Sequence, residues 1–235
     1  MKMNKRNINL LLFSLFLALL ISVPILHLDK GVSIRAGWSQ GPWHLVPFGV
    51  DSLSQHYKDR YQVLDEKPLV TLLQDSTRPL VMILVDGWGV PYDEDLLEAD
   101  FQMIGGKNVS YAVHKRLFQA TSYAESIEYG SDFKDGIVIT GDDSVGCAKI
   151  DSLISEGSWS RIAWTARGTR EGDRDKLHNL LKEISAMAAK HPDVQFVVQG
   201  THRPILGTPE TRRKYLAPWV PAVFINCNLE QSIVR

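Results

Sequence analysis

The sequence predicts an α/β protein: a mostly parallel central sheet with helices on both faces, preceded by one N-terminal transmembrane helix. Three observations carry that expectation. From Pro79 onward, short β-branched apolar runs alternate with segments of helical spacing. The runs show no polar alternation, as in strands buried on both faces. Before them, Ile8 to Leu28 contains no Asp, Glu, Lys or Arg.

The N-terminal run follows Lys2, Lys5 and Arg6. As a helix of about 20 residues, at about 1.5 Å each, it would span the roughly 30 Å hydrocarbon layer. Basic residues before it and few after it put the N-terminus in the cytoplasm and the rest outside. The expectation is a single-pass protein of the cytoplasmic (inner) membrane with its C-terminal domain in the periplasm or exterior. A cleaved signal peptide is the rival reading, but the run is long for a signal core and no small-x-small site follows it. The chain divides into an anchor (1–28), a membrane-proximal segment (29–78) and an α/β domain (79–235). The middle segment, punctuated by Gly37-Trp38 and Gly41-Pro42-Trp43, is expected to lie against the domain.

Within the domain, Leu80 to Val85 reads as a buried strand and Glu94 to Ile104 as a helix. Two weaker strands are expected at Tyr111 to Leu117 and Tyr123 to Tyr129. Gly136 to Thr140 is a strand, Val145 to Ile154 a short helix closed by Gly157, and Arg161 to Thr165 a strand. Asp173 to Lys190 is the best helix: Leu177, Leu180, Leu181, Ile184 and Met187 fall at helical spacing and Pro192 stops it. Val194 to Gln199 and Val220 to Asn226 are the last strands.

Composition bounds the function. Of 235 residues, 26 are Lys or Arg and 27 Asp or Glu, a balance that argues against a nucleic-acid binder. Arg212-Arg213-Lys214 reads as a solvated turn. Apolar residues make up 44%, enough for a sizeable core. Cys147 and Cys227 form no disulfide framework and read as small packed residues, with a single bridge open if they meet in space.

In parallel sheets, ligands bind beyond the carboxyl ends of the strands. Here those ends carry Asp86, then Asp142-Asp143-Ser144, then Thr201-His202. Carboxylates and a histidine on one rim suit zinc, manganese or magnesium. Asp86 is open to two readings, a metal ligand or a turn former before Gly87. Ser144 stands at a helix start, where an anion can be held and where a plain N-cap is common. His202 is a ligand or a histidine bonded under a loop, and His114 reads as structural. His178 lies at i+3 from Asp175, a ligand position or a solvated helix face. Arg167 and Arg170, in the loop after RIAWT, are open to two readings, contacts for an anionic substrate or ordinary loop arginines.

LVMILVDGWG resembles the opening strand and Asp-Gly turn of the alkaline phosphatase superfamily, and is most similar to its cofactor-independent phosphoglycerate mutase branch. FVVQGTHRPILG, followed by YLAPWVPAVFIN, resembles its strand, Asp-His-Gly turn and later proline-containing strand. The resemblance implies two metal ions held by Asp and His, and a Ser or Thr that attacks phosphorus or sulfur. It assigns Asp86 to the first metal aspartate and His202 to the histidine of the turn. Ser144 is the nearest match to the nucleophile, ahead of Thr121 and Ser122. Asp173 and His178 fall where further ligands occur. Thr201 stands where the pattern has an aspartate, and Arg203 where it has a glycine.

Two function classes follow. One is a membrane-anchored hydrolase of phosphate or sulfate esters, using zinc or manganese at Asp86, His202, Asp173 and His178, with Ser144 attacking. In it, Asp142, Asp143, Arg167, Arg170 and Arg203 hold the substrate. The other is a catalytically inactive relic of that fold, a binding or structural module for a small anionic ester, a glycan or a partner protein.

Overall fold

The computed structural model describes residues 53–229 apart from 117, 131–132, 141–144 and 158. The expected anchor and residues 29–52 lie outside the described residues. In chain order the elements are α1 (Gln55–Arg60), β1 (Gln62–Leu64), a 3-10 turn (Leu69–Leu72), β2 (Leu80–Val85), α2 (Glu94–Gln102), β3 (Val109–Lys115) and α3 (Thr121–Glu128). They continue with β4 (Ile137–Ile139), α4 (Gly146–Glu156), β5 (Arg161–Ala166), α5 (Arg174–Lys190), β6 (Gln195–Gly200), α6 (Pro209–Arg212) and β7 (Trp219–Ile225).

The strands form one seven-stranded sheet in the order β1-β3-β7-β6-β2-β5-β4. Every strand runs the same way except β7, which is antiparallel to both β3 and β6. A strand that returns from the same edge of a sheet reverses direction, whereas a parallel neighbour needs a crossover. The β6–β7 connection holds only the four-residue α6, too short to cross back. β1, from the segment before Pro79, pairs with β3 as an edge strand of this sheet.

β2, β5 and β6 bury every residue or nearly so, which is why their sequences read as unbroken apolar runs. Their side chains alternate between two cores. Val81, Ile83 and Val85 face one that includes Tyr57 of α1, Leu97 and Phe101 of α2, Ile150 of α4, and the apolar stripe of α5. Leu80, Met82 and Leu84 face another, closed by Leu69, Ala124 of α3 and Leu229. The α5 stripe is Leu177, Leu180, Leu181, Ile184 and Met187, and its burial is worth on the order of 10 kcal/mol before chain entropy is subtracted. Asp173 caps α5 by accepting from the N–H groups of Asp175 and Lys176, both at 3.1 Å.

The structure corrects one element. Tyr123 to Tyr129, expected as a strand, belongs to helix α3. Its aromatic residues favour strands intrinsically, but Ala124 and Glu128, four apart, are its buried positions, and that spacing is one helix face. Among the described residues no helix is long and apolar enough to cross a membrane.

Candidate functional site at the strand ends

β6, β2 and β5 are adjacent, so the loops that leave their carboxyl ends rise side by side. Val85 is level with both Gly200 and Ala166, which places Asp86, Thr201 and Arg167 in one row. The chain after β3 also reaches this edge, bringing Gln119 and the start of α3 to it.

Gly87-Trp88-Gly89 locks these loops together. Gly87 has φ 77°, a left-handed conformation that costs other residues energy. A Cβ there would stand 2.5 Å from the Thr169 carbonyl oxygen and 2.9 Å from the Arg170 Cα. One on Gly89 would stand 2.7 Å from the Arg203 Cα, and one on Gly200 would overlap the Trp88 carbonyl. Trp88 itself is buried, its Nε1 donating to Asp100 Oδ2 at 3.2 Å. The tryptophan is thus an anchor, and the glycines let three loops touch backbone to backbone.

Asp86 sits at the centre, fully buried. Its Oδ1 accepts from the Thr121 hydroxyl at 2.8 Å and the Thr201 hydroxyl at 2.7 Å. Its Oδ2 accepts from Arg170 Nε at 2.6 Å, and its backbone carbonyl accepts from the Thr169 hydroxyl. His202, also fully buried, lies with Nε2 3.2 Å from Thr121 Oγ1 and 3.9 Å from Asp86 Oδ1. Its Nδ1 is 2.7 Å from the Arg203 carbonyl oxygen. A carbonyl only accepts, so Nδ1 carries the hydrogen and Nε2 keeps a lone pair 3.2 Å from the Thr121 oxygen, whose single hydrogen goes to Asp86 Oδ1 here and reaches Nε2 only by rotating away from it. Burial pushes the His202 pKa below its ordinary value, although Asp86 and the Arg203 carbonyl oppose the shift. The imidazole is therefore neutral at neutral pH, a base facing a hydroxyl.

Thr121, like Arg170, is partly exposed. It opens α3, an eight-residue helix whose preceding residue, Ala120, supplies no side-chain cap. First-turn N–H groups without a side-chain cap favour an anion. Gln119, buried beside them, accepts from the Arg203 N–H at 3.1 Å through Oε1, while its Nε2 has no hydrogen-bond partner among the described residues. Behind lies a directed polar chain. Arg116 Nη2 donates to Glu128 Oε1 at 2.5 Å and to Gln199 Oε1 at 2.7 Å. Gln199 Nε2 donates to His114 Nδ1, and His114 Nε2 to the Asp65 carbonyl at 2.8 Å. His114 is structural, as expected.

The residues singled out in the sequence fall into three groups. Asp86, Thr201, His202, Arg170 and the backbone of Arg203 come together. Arg167 stands nearby, its Nη2 3.2 Å from Glu125 Oε1 of α3. Asp173 is spent on the α5 cap, and His178 bonds Asp100 Oδ1 at 2.9 Å beside Arg174, so neither is placed with Asp86. Ser144, Asp142 and Asp143 lie outside the described residues. Cys147 and Cys227 do not pair with each other. Thr121, ranked behind Ser144 in the sequence, and Gln119 and Thr169, not singled out there, gained their place only in three dimensions. The missed helix α3 hid the first two, since the run from Gln119 to Ser122 shows a helix start only once a helix is recognised behind it.

Zinc or manganese was the expected cofactor. Among the described residues no group of three or more His, Cys, Asp or Glu could hold a metal ion. The strongest candidate oxygen, Asp86 Oδ2, already faces a guanidinium. These residues do not by themselves fit a divalent ion.

Fold and site together define a mostly parallel α/β protein with a buried carboxylate and imidazole joined to hydroxyls and a half-buried guanidinium at its strand ends. No family model and no curated protein matches the chain. Among solved structures it is similar to a protein in the alkaline phosphatase superfamily from Vibrio parahaemolyticus. That match has 15% identity and a TM-score of 0.35, and covers 72% of this chain but only 66% of that one.

Proposed function

We propose that this chain is a membrane-anchored, outward-facing protein whose strand-end rim binds a small phosphate or sulfate ester and transfers the phosphoryl or sulfuryl group to Thr121. The supporting observation is the Thr121 hydroxyl, partly exposed at an uncapped helix start and flanked by the neutral His202 and Asp86. The anchor rests on the charge-free run Ile8 to Leu28 and the basic residues before it.

In this reading the Thr121 hydroxyl turns its one hydrogen from Asp86 Oδ1 to His202 Nε2 and passes it there as Oγ bonds to phosphorus or sulfur. The bond to the ester oxygen breaks; that oxygen keeps the electron pair and takes the proton that His202 carries, leaving as the alcohol. The carboxylate of Asp86 stabilises the resulting imidazolium. α3 N–H groups, the Gln119 amide and Arg170 hold the equatorial oxygens. Water then releases the group from Thr121.

The test is turnover of an aryl phosphate and an aryl sulfate by the full chain. The expected result is activity abolished by Thr121→Ala, partly kept by Thr121→Ser, and retained in Ser144→Ala. Loss in Ser144→Ala with retention in Thr121→Ala would transfer the role to Ser144. A second reading, an anion-binding module without catalysis, draws on the occupancy of Asp86, whose two oxygens are already bonded by two hydroxyls and a guanidinium. Anion binding with no turnover by the wild type would select it.

A further inference from the structure

We infer that Arg170 supplies, as a fixed guanidinium, the positive charge that a divalent ion would otherwise bring to Asp86, so that the rim binds its anion without metal. This rests on the anion site proposed above but makes a separate claim about how its charge is provided. The guanidinium has five N–H donors in a planar fork. Arg170 spends Nε on Asp86 Oδ2 at 2.6 Å. Its side chain keeps 32% exposure, and no other hydrogen bond of this guanidinium is formed with the described residues. The donors of the two Nη groups are thus left for a ligand, and such a fork can grip two oxygens of a tetrahedral anion.

The backbone is built to keep it there. Gly87 allows the Thr169-Arg170 backbone to close on β2, since any Cβ at Gly87 would collide with it. The Thr169 hydroxyl ties that loop to the Asp86 carbonyl. Asp86 Oδ1 is closed by two hydroxyls, and the lone pair of His202 is directed at Thr121 rather than into an open space beside Oδ2. A dication at Oδ2 would have to displace Arg170 or sit against its like charge. The other two candidate ligands are engaged elsewhere, Asp173 at a helix cap and His178 with Asp100.

The experiment uses the full chain in detergent and reads thermal unfolding midpoints with inorganic sulfate or phosphate, in EDTA and in added zinc or manganese. Titration calorimetry with each metal accompanies it. The expected result is an anion-induced rise in midpoint that is the same in EDTA as in metal, with no metal-binding heat that depends on Asp86. Arg170→Gln should weaken the anion roughly ten- to hundredfold, the loss of a charge-assisted pair, and Arg170→Lys should recover part of it. If EDTA removes the anion effect, or metal binds the wild type with a heat lost in Asp86→Asn, the inference fails while the anion site stands. If neither anion shifts the midpoint under any condition, the anion site falls and the inference with it. If Arg170→Gln binds anion as tightly as the wild type in EDTA, Arg170 is not the charge and the inference again fails.

Discussion

Replacing Asp86 with asparagine removes one charge while nearly preserving shape, and so isolates the ion pair at the rim. Asparagine retains an oxygen to accept from the Thr121 and Thr201 hydroxyls. Its NH2 then faces Arg170 Nε, where Oδ2 now accepts at 2.6 Å, so donor meets donor. The lost charge-assisted bond is worth about 1.5–3 kcal/mol. A wholly buried pair would cost more when broken, about 3–5 kcal/mol. Arg170 keeps 32% side-chain exposure and regains water, so the expected loss is about 2–3 kcal/mol, toward the lower range. For a chain of this size that lowers the thermal midpoint by on the order of 5–10 °C. Urea unfolding is the assay, with a lower transition midpoint at an unchanged slope. The double variant Asp86→Asn/Arg170→Met should cost less than the sum of the two single changes, because each single change strands the other's partner. A loss under about 0.5 kcal/mol, or strict additivity, would refute the ion pair as a stabilising contact.

Gly200→Ala should destabilise by about 2–4 kcal/mol, because its methyl overlaps the Trp88 carbonyl and stands 3.0 Å from the Trp88 carbonyl carbon, both backbone atoms. Unfolding midpoints within error of wild type would show that the loops are not docked as described. Asp100→Ala leaves Trp88 Nε1, Arg174 and His178 without their common buried acceptor, and a loss of about 3–5 kcal/mol is expected by denaturant unfolding. Equal stability of Asp100→Ala and wild type would remove that cluster from the account. Burial and the adjacent Arg116 push the His114 pKa down to about 3 from 6.5. Between those values the unfolded chain binds a proton that the native one refuses, so His114 lowers stability as pH falls through that window, at up to about 1.4 kcal/mol per pH unit. Burial of Asp100 and Glu128, whose carboxyl pKa values are raised, works in the opposite direction, so the readout is the difference between wild type and His114→Gln. The variant should have the shallower pH dependence; parallel curves would count against a neutral, buried His114.

What the sequence determined by itself was whatever depends on short-range pattern. β2, β5 and β6 were legible because strands covered on both faces cannot alternate. α5 was legible because its leucines repeat at 3.6-residue spacing and Asp173 marks its start. The rim at Asp86 and His202 followed from strand ends alone, since a mostly parallel sheet gathers those ends at one edge. The reversal of β7 was not legible, because strand direction is set by the length and path of the connection, not by the strand's own residues. α3 was misread because Tyr123 and Tyr129 favour strands locally, and only the sheet beneath shows that Ala124 and Glu128 are the inward face. With α3 went the weight of Thr121, ranked behind Ser144 from the sequence, which reaches Asp86 and His202 across 35 and 81 residues of chain. The partner of Asp86 was likewise decided only by tertiary structure. A carboxylate followed by glycine reads equally as a turn or a ligand. The close approach of Arg170, allowed by Gly87, is what made it the centre of a charged pair.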